Sequence, residues 1–391
     1  MMDTTVLELD PQRQQQARRY ARIQRRLMMA ETLAGLAYLG LWIAAGWALD
    51  VQHALASRPE GGLLPFEPRA SIRLLLFTAA LALPWIALTL PLSFYSGFVL
   101  PHRFGLSTQT RRGWVIDQLK SGLISMLLGI PLLLGLYALI RIAPATWWLP
   151  AAAAYSLVSV VLTALAPVLL MPIFYRFTPL DEQYAGLAAR LKSLAERYGT
   201  HVSGVFSMDM SRRTVAANAA LVGLGRTRRI VLGDTLLENF TEDEIETVLA
   251  HELGHHVHGD IPLGIIIQSG LNFGMFYLVS QGLEWAATYF GFDNAAAPAG
   301  LPALALLFGL LGFIVMPLGN AYSRWRERLA DRFALRSTGL TGAFAAAMTR
   351  LANQNLADAD PPRWVVLLFG SHPPLRERIA AAERFNAQAR L

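Results

Sequence analysis

Six uncharged runs, each long enough to cross a bilayer, divide this chain of 391 residues. They lie within 32–49, 74–102, 121–140, 142–175, 261–283 and 294–323. A span takes about 20 apolar residues. In hydrocarbon each backbone N–H and C=O must find its partner inside the protein, so runs of this length are expected as helices. The composition agrees, with 54% hydrophobic and 16% charged residues against about a quarter charged in soluble domains. The shortest run, 32–49, is bracketed by Glu31 and Asp50. It starts too late and lacks the small-residue cleavage site of a signal peptide, so it reads as a retained span.

Arginine is distributed unevenly between these runs. Arg13, Arg18, Arg19, Arg22, Arg25 and Arg26 precede the first, and Arg58 and Arg69 follow it, with Arg73 at the mouth of the second. Arg103, Arg111 and Arg112 follow the second run, only Arg141 follows the third, and none lies between the fifth and sixth. Segment 176–260 and the tail after 323 are again arginine-rich. The positive-inside rule then puts both termini and the long fourth connection in the cytoplasm. Of 34 basic residues only Lys120 and Lys192 are lysine, a bias of GC-rich, bacterial genomes, so the expected location is a bacterial inner membrane. The formal charge of +6 forms no basic stripe interleaved with aromatics, and nucleic acid is not an expected partner. With no cysteine, disulfides and thiolate metal sites are excluded.

The longest polar stretch, 176–260, reads as mixed α and β. "DEQYAGLAARLKSLAERYG" (181–199) has helical spacing and a terminal glycine. "VSGVFSM", "NAALVGLG" and "RRIVLG" read as strands, the last two as a hairpin. Thr241 and Glu244 make a capping box, opening a helix expected from about 242 to 258. Gly259 ends it and Pro262 opens the next span.

That helix carries "HELGHHVHGD". His251 and His255, four residues apart, project from one face and can share a tetrahedral zinc, with Glu252 beside them as general base for a water. A third ligand is needed. His258 is too far along the axis, about 10 Å at 1.5 Å per residue, and His256 points to another face, so both read as helix-end residues. Glu327 in "SRWRERLADRFAL" is the better candidate. The two spans between His255 and Glu327 go out and return, which brings Glu327 back to the face that holds His251. Asp331, one turn on, can accept the second ring N–H of a ligating histidine and should stay ionised beside Arg328 and Arg332. A salt-bridged face with Arg324, Arg328 and Arg332 is the plain alternative for both carboxylates.

With these motifs the sequence resembles the M48 zinc metalloproteases, in the Ste24-like CAAX prenyl protease branch. "FYSGFVLPHRFGLSTQT" (94–110), "MPIFYRFTPLDE" (171–182), "NAALVGLGRTRRIVLGDTLL" (218–237) and "SHPPLRERI" (371–379) are similar to its other blocks, in the same order. The resemblance covers roughly 70–385. It implies one zinc per chain on His251, His255 and Glu327, with Glu252 catalytic and Asp331 supporting a ligand or donating a proton. It also implies a helical membrane barrel around an internal chamber. Eukaryotic members have seven spans against six runs here, and Ala220 stands where an aromatic often follows Asn-Ala.

The expected fold is therefore a multi-pass α-helical membrane protein of six, or at most seven, spans with an inserted α+β, gluzincin-like metallopeptidase segment. Its divisions are a cytoplasmic arm (1–31), four spans (32–175), a catalytic segment (176–260), a two-span hairpin (261–323) and a C-terminal catalytic segment (324–391). Segment Asn218–Leu224, with Asn218, Ala219 and Ala220 leading, could hold substrate backbone as a strand edge, or be a core strand. His372 could stabilise an oxyanion, or cap the turn before Pro373 and Pro374. The partners are the bilayer and a peptide or protein substrate, with C-terminal prenylation implied by the resemblance; membrane-protein quality control is the alternative. A non-proteolytic zinc scaffold would have no use for Glu252. A transporter would need charges that the middles of the six runs lack.

Overall fold

The computed structural model describes residues 8–56, 68–223 and 225–389. Arg58 and Leu224 lie outside the described residues. Helix α1 (Pro11–Ala44) starts at Asp10, whose carboxylate accepts from the backbone N–H groups of Gln12 and Arg13. No glycine or proline interrupts 12–31, so arm and first span form one helix of 34 residues, about 51 Å long. The arm is docked: the Gln14 amide donates to the Ala357 carbonyl at 3.3 Å and accepts from the Ala359 N–H at 3.0 Å. The helix stops at Ala44, short of the span expected to 49. Gly46, at φ 75°, turns the chain into a separate α2 (Trp47–Leu55).

Helix α3 (Pro68–Phe94) continues through a π-helical turn, Tyr95–Val99, to Arg103. Helix α4 (Arg111–Ile142) follows, then α5 (Trp148–Leu165), which passes through a second π-helical turn, Ala166–Leu170, to Phe174. Both π-turns lie where spans two and four meet the catalytic segment.

That segment contains β1 (Phe177–Pro179), α6 (Ala185–Arg197), β2 (Val205–Met208), β3 (Ala219–Val222) and β4 (Arg229–Gly233). The sheet order is β1-β2-β4-β3. Strands β3 and β4 form the expected antiparallel hairpin, whereas β2 and β4 are parallel. The hairpin needs Gly223: at φ 94° an added Cβ would sit 2.6 Å from the Thr227 carbonyl oxygen. Among the described residues, five helices and then a last one follow α7 (Asp234–Asn239). They are α8 (Glu242–Val257), α9 (Asp260–Phe290), α10 (Leu301–Thr338), α11 (Thr341–Gln354) and α12 (Arg363–Phe369). The last helix is α13 (Leu375–Ala389). Span six and the "SRWRERLADRFAL" motif are thus one helix, α10, which runs through Pro317 without breaking.

Among the described residues, six helices are long and apolar enough to cross a membrane. Their exposed faces carry Leu83, Leu88, Leu119, Leu127, Leu157 and Ile266, apolar surface that water would not tolerate over such an area and that lipid covers. Two of the apolar cores among the described residues are large. One, with Leu191, Ile230, Leu249 and Phe344, binds the sheet to α6, α8 and α11. The other, with Trp42, Phe77, Tyr137, Trp147, Phe276 and Leu283, ties the far ends of the spans together. Spans four and five pack together, with Asn272 donating to Ser156 at 3.3 Å, whereas α4 stands apart from its neighbours. In α4, every residue of 121–129 except Ile124 is exposed. A helix inside a filled bundle would bury one side over two and a half turns, so the inner side of α4 faces open space.

Candidate active site

The site is built where α8 crosses α10. Thr241 and Glu244 form the capping box that starts α8, with the Thr241 N–H donating to the Glu244 carboxylate at 2.8 Å. Gly259, at φ 65°, ends the turn before α9. Gly254, inside the motif, allows the crossing. An added Cβ there would sit 3.0 Å from Ala330 Cα, 3.2 Å from the Ala330 oxygen and 3.2 Å from Phe333 Cβ. A mid-helix glycine costs about 1 kcal/mol relative to alanine, and the contact explains its presence. Gly254→Ala is therefore expected to gain in helix propensity yet destabilise by about 1–3 kcal/mol, because backbone atoms of α10 must move. Tm and zinc content should both fall. Gly264→Ala, where an added Cβ meets nothing within 4 Å, serves as the control and should leave both intact.

The crossing brings His251, His255 and Glu327 together. The two Nε2 atoms are 3.2 Å apart, and each lies 3.3 Å from one Glu327 carboxylate oxygen. A tetrahedral zinc with bonds of about 2.0–2.1 Å spaces its ligand atoms about 3.3–3.4 Å apart, so these donors fit the metal. Glu327 is buried, and among the described residues its Oε2 lacks a well-aligned hydrogen bond, with only His251 Nε2 nearby at 3.3 Å. Buried carboxylate oxygens are rarely left so, and a cation would satisfy this one. Burial alone would depress the pKa of His251, but hydrogen bonds to Asp331 and Glu327 outweigh it and lift it to about 9. A metal binding here displaces that proton.

Each imidazole is held from behind by a carboxylate, and each carboxylate by an arginine. His251 Nδ1 lies 2.8 Å from Asp331, and Arg378 donates to both oxygens of Asp331, at 2.6 and 2.9 Å. His255 Nδ1 lies 2.6 Å from Asp260, which pairs with Arg326. The arginine expected beside Asp331 is thus the wrong one. Arg328 pairs with Glu377 at 2.8 Å and Arg332 is exposed, while Arg324 donates to the carbonyls of Val366 and Gly370. Sequence reasoning also missed Asp260 and Gly254, though both stand within the quoted motif. Arg378 lies in "SHPPLRERI", and nothing local marks its partner 47 residues away.

Glu252 follows His251 on α8 and is half-buried. His372, largely exposed, places its Nε2 3.3 Å from Glu327 and its Nδ1 2.8 Å from Ser371 Oγ. Strand β3 is the edge of the sheet and packs along α8, with Asn218 exposed, Ala219 buried and Ala220 half-buried. His258 does not join the cluster: its Nδ1 meets the Gly254 carbonyl at 2.7 Å and its ring the edge of Phe333. His256 also stands outside it; burial and nearby Arg228 hold its pKa below the ordinary value.

Residues 181–386 match the model of peptidase family M48. The chain belongs to that family. Residues 5–176 match a second model, the CAAX prenyl protease N-terminal region with five membrane helices; four of the six candidate spans lie there, together with α2, which at nine residues is too short to cross. Among M48-like relatives, the uncharacterized metalloprotease YhfN of Bacillus subtilis is 32% identical over 79% of this chain and 72% of its own. The CAAX prenyl protease 1 homolog of Oryza sativa is 31% identical over 76% and 71%. The crystal structure of S. mikatae Ste24p has a TM-score of 0.82 at 26% identity, covering 97% of this chain and 92% of that one. This M48 peptidase is a membrane-integral zinc metalloendopeptidase.

Proposed function

We propose that the protein cuts peptide bonds near the prenylated C-terminus of its substrates, with its zinc site on the cytoplasmic side of a bacterial inner membrane. The observation that carries the substrate reading is the open stretch 121–129 of α4, a spanning helix exposed all round over two and a half turns. An isoprenoid chain is pure hydrocarbon, and an apolar, membrane-level space can take it up while the peptide reaches the metal. Kinship with proteins named CAAX prenyl protease over about three quarters of the chain supports the same reading. Purified protein should cleave a prenylated C-a-a-X peptide well ahead of its unmodified counterpart, and a chelator should abolish both activities. Equal cleavage of the two would remove the prenyl preference and favour quality control of membrane proteins.

His251, His255 and Glu327 hold the metal. Zinc, when bound, polarises the scissile carbonyl and makes a water nucleophilic near neutral pH. Glu252 takes a proton from the attacking water and passes it to the departing amine. The free edge of β3, from Asn218 through Ala220, pairs with the substrate backbone in extended form and fixes which bond lies over the metal. His372, at the exposed rim, donates to the oxygen on which negative charge develops.

Asp331 orients His251 and is no proton source, because Arg378 engages both of its oxygens and keeps it an acceptor. Asp331→Asn is expected to weaken zinc binding by about 10–100-fold, with activity largely recovered when zinc is added. Full zinc occupancy with persistent inactivity would instead make Asp331 a proton donor in turnover.

Orientation is checked by cysteine labelling, since the chain has no cysteine of its own. Gln183 lies beside the catalytic core and Ala145 in the connection between α4 and α5, both exposed. Gln183→Cys should react only from the cytoplasmic side of sealed vesicles, and Ala145→Cys only from the other. Labelling of Gln183→Cys from outside reverses the assignment.

A further inference from the structure

Behind the zinc cluster, between α10 and α13, lies a cavity of about 440 Å³. Five arginines line it, at 328, 332, 336, 378 and 384, against two carboxylates, Asp331 and Glu377. The carboxylates are already engaged: Asp331 with Arg378, and Glu377 with Arg328. Arg332, Arg336 and Arg384 make no ion pair or hydrogen bond among the described residues. Arg332 and Arg336 stand one turn apart on α10, where like charges repel, and Arg384 approaches from the facing helix. Arg378, only 8% exposed, forms part of the lining.

A solvated charged face would spread these side chains over a convex surface or intersperse them with acids. Here three exposed guanidiniums, unpaired among the described residues, line one concavity that can hold a small ligand. Guanidinium forks match the oxygens of phosphate in two-pronged fashion, and three positive charges suit a dianion better than a single carboxylate. We propose that this cavity binds a phosphoryl group from solution, either inorganic phosphate or a phosphate monoester. Arg332, Arg336 and Arg384 clasp it, and Arg378 sets the back wall. Asp331, which meets His251 at Nδ1 and not at the metal-facing Nε2, lines the cavity, whereas His251, His255 and Glu327 do not, so a bound phosphate is separate from the peptide path. This assignment is independent of the substrate reading above.

The test is calorimetric titration of the full-length, detergent-solubilised zinc protein with inorganic phosphate at constant ionic strength, with chloride as the reference anion. Saturable binding is expected in the wild type. Each arginine contributes a charge-assisted hydrogen bond of about tenfold in affinity, so R332Q should bind about tenfold more weakly. R332Q/R336Q/R384Q should lose at least about a hundredfold. R22Q/R25Q, altered in a different basic patch, should bind as the wild type does. Zinc content of each variant checks that it is folded, and the single variant carries the test if the triple one is not. Undiminished binding in the arginine variants would place the phosphate on the metal and overturn the proposal. A wild-type response no larger than that to chloride, or no saturable binding, would equally overturn it. Glucose 1-phosphate in place of phosphate separates the two ligand sources: binding as tight as phosphate assigns a monoester, and binding of phosphate alone assigns the free anion.

Discussion

Glu252→Gln is expected to keep its zinc and lose peptide cleavage by about 10²–10⁴-fold, the range spanned by general-base catalysis. The substitution preserves size and helix position, so α8 should form as before. The proposed metal donors are the Nε2 atoms of His251 and His255 and the carboxylate of Glu327, and none is touched. What disappears is the acceptor for the water's proton, since an amide does not take one up. Zinc content measured beside turnover separates the two effects. Turnover near the wild-type level would strike Glu252 from the mechanism, and loss of zinc would make it a ligand.

Glu327→Ala should have the opposite signature. It removes one corner of the donor triangle, and with it the negative charge that offsets the cation in a buried place. Loss of a group that only supports a ligand costs about 10–100-fold in affinity, so loss of the ligand itself should exceed about 100-fold. The purified variant should carry little zinc, and cleavage should fall below detection at ordinary metal concentrations. Atomic absorption on both proteins after the same dialysis decides it. Unchanged zinc content would remove Glu327 from the site.

The features legible in the sequence were those with a local signal. The capping box, the closing glycine and the four-residue histidine spacing each depend on a few neighbours, and α8 follows them closely. The β3–β4 hairpin is local as well. Glu327 was legible by a different route: an even number of spans must return the chain to its starting face. The features that stayed hidden come from groups far apart in the chain that meet only after folding. The parallel pairing of β2 with β4, the role of Arg378 behind Asp331, and the close approach at Gly254 all depend on helix crossings that no periodicity records. The helical continuity of the arm with the first span stayed unread for a related reason. The arm's polarity marks it as lying outside the bilayer, but nothing in it ends a helix, and Gln14 finds its partners 343 and 345 residues on.

The placement of Glu327 and Arg378 after the last span has a consequence for how the protein is made. Seventy-one residues stand between His255 and Glu327, and Arg378 follows later still. While the ribosome is still extending the chain, the emerging polypeptide exposes two histidines and a base but lacks the carboxylate that completes the donor set. The last two spans must be inserted and folded back before α10 can lie against α8. On the proposed ligand set, a nascent copy or one truncated before Glu327 is expected to be inert, and proteolytic competence to arrive only when the bundle that confines it has closed.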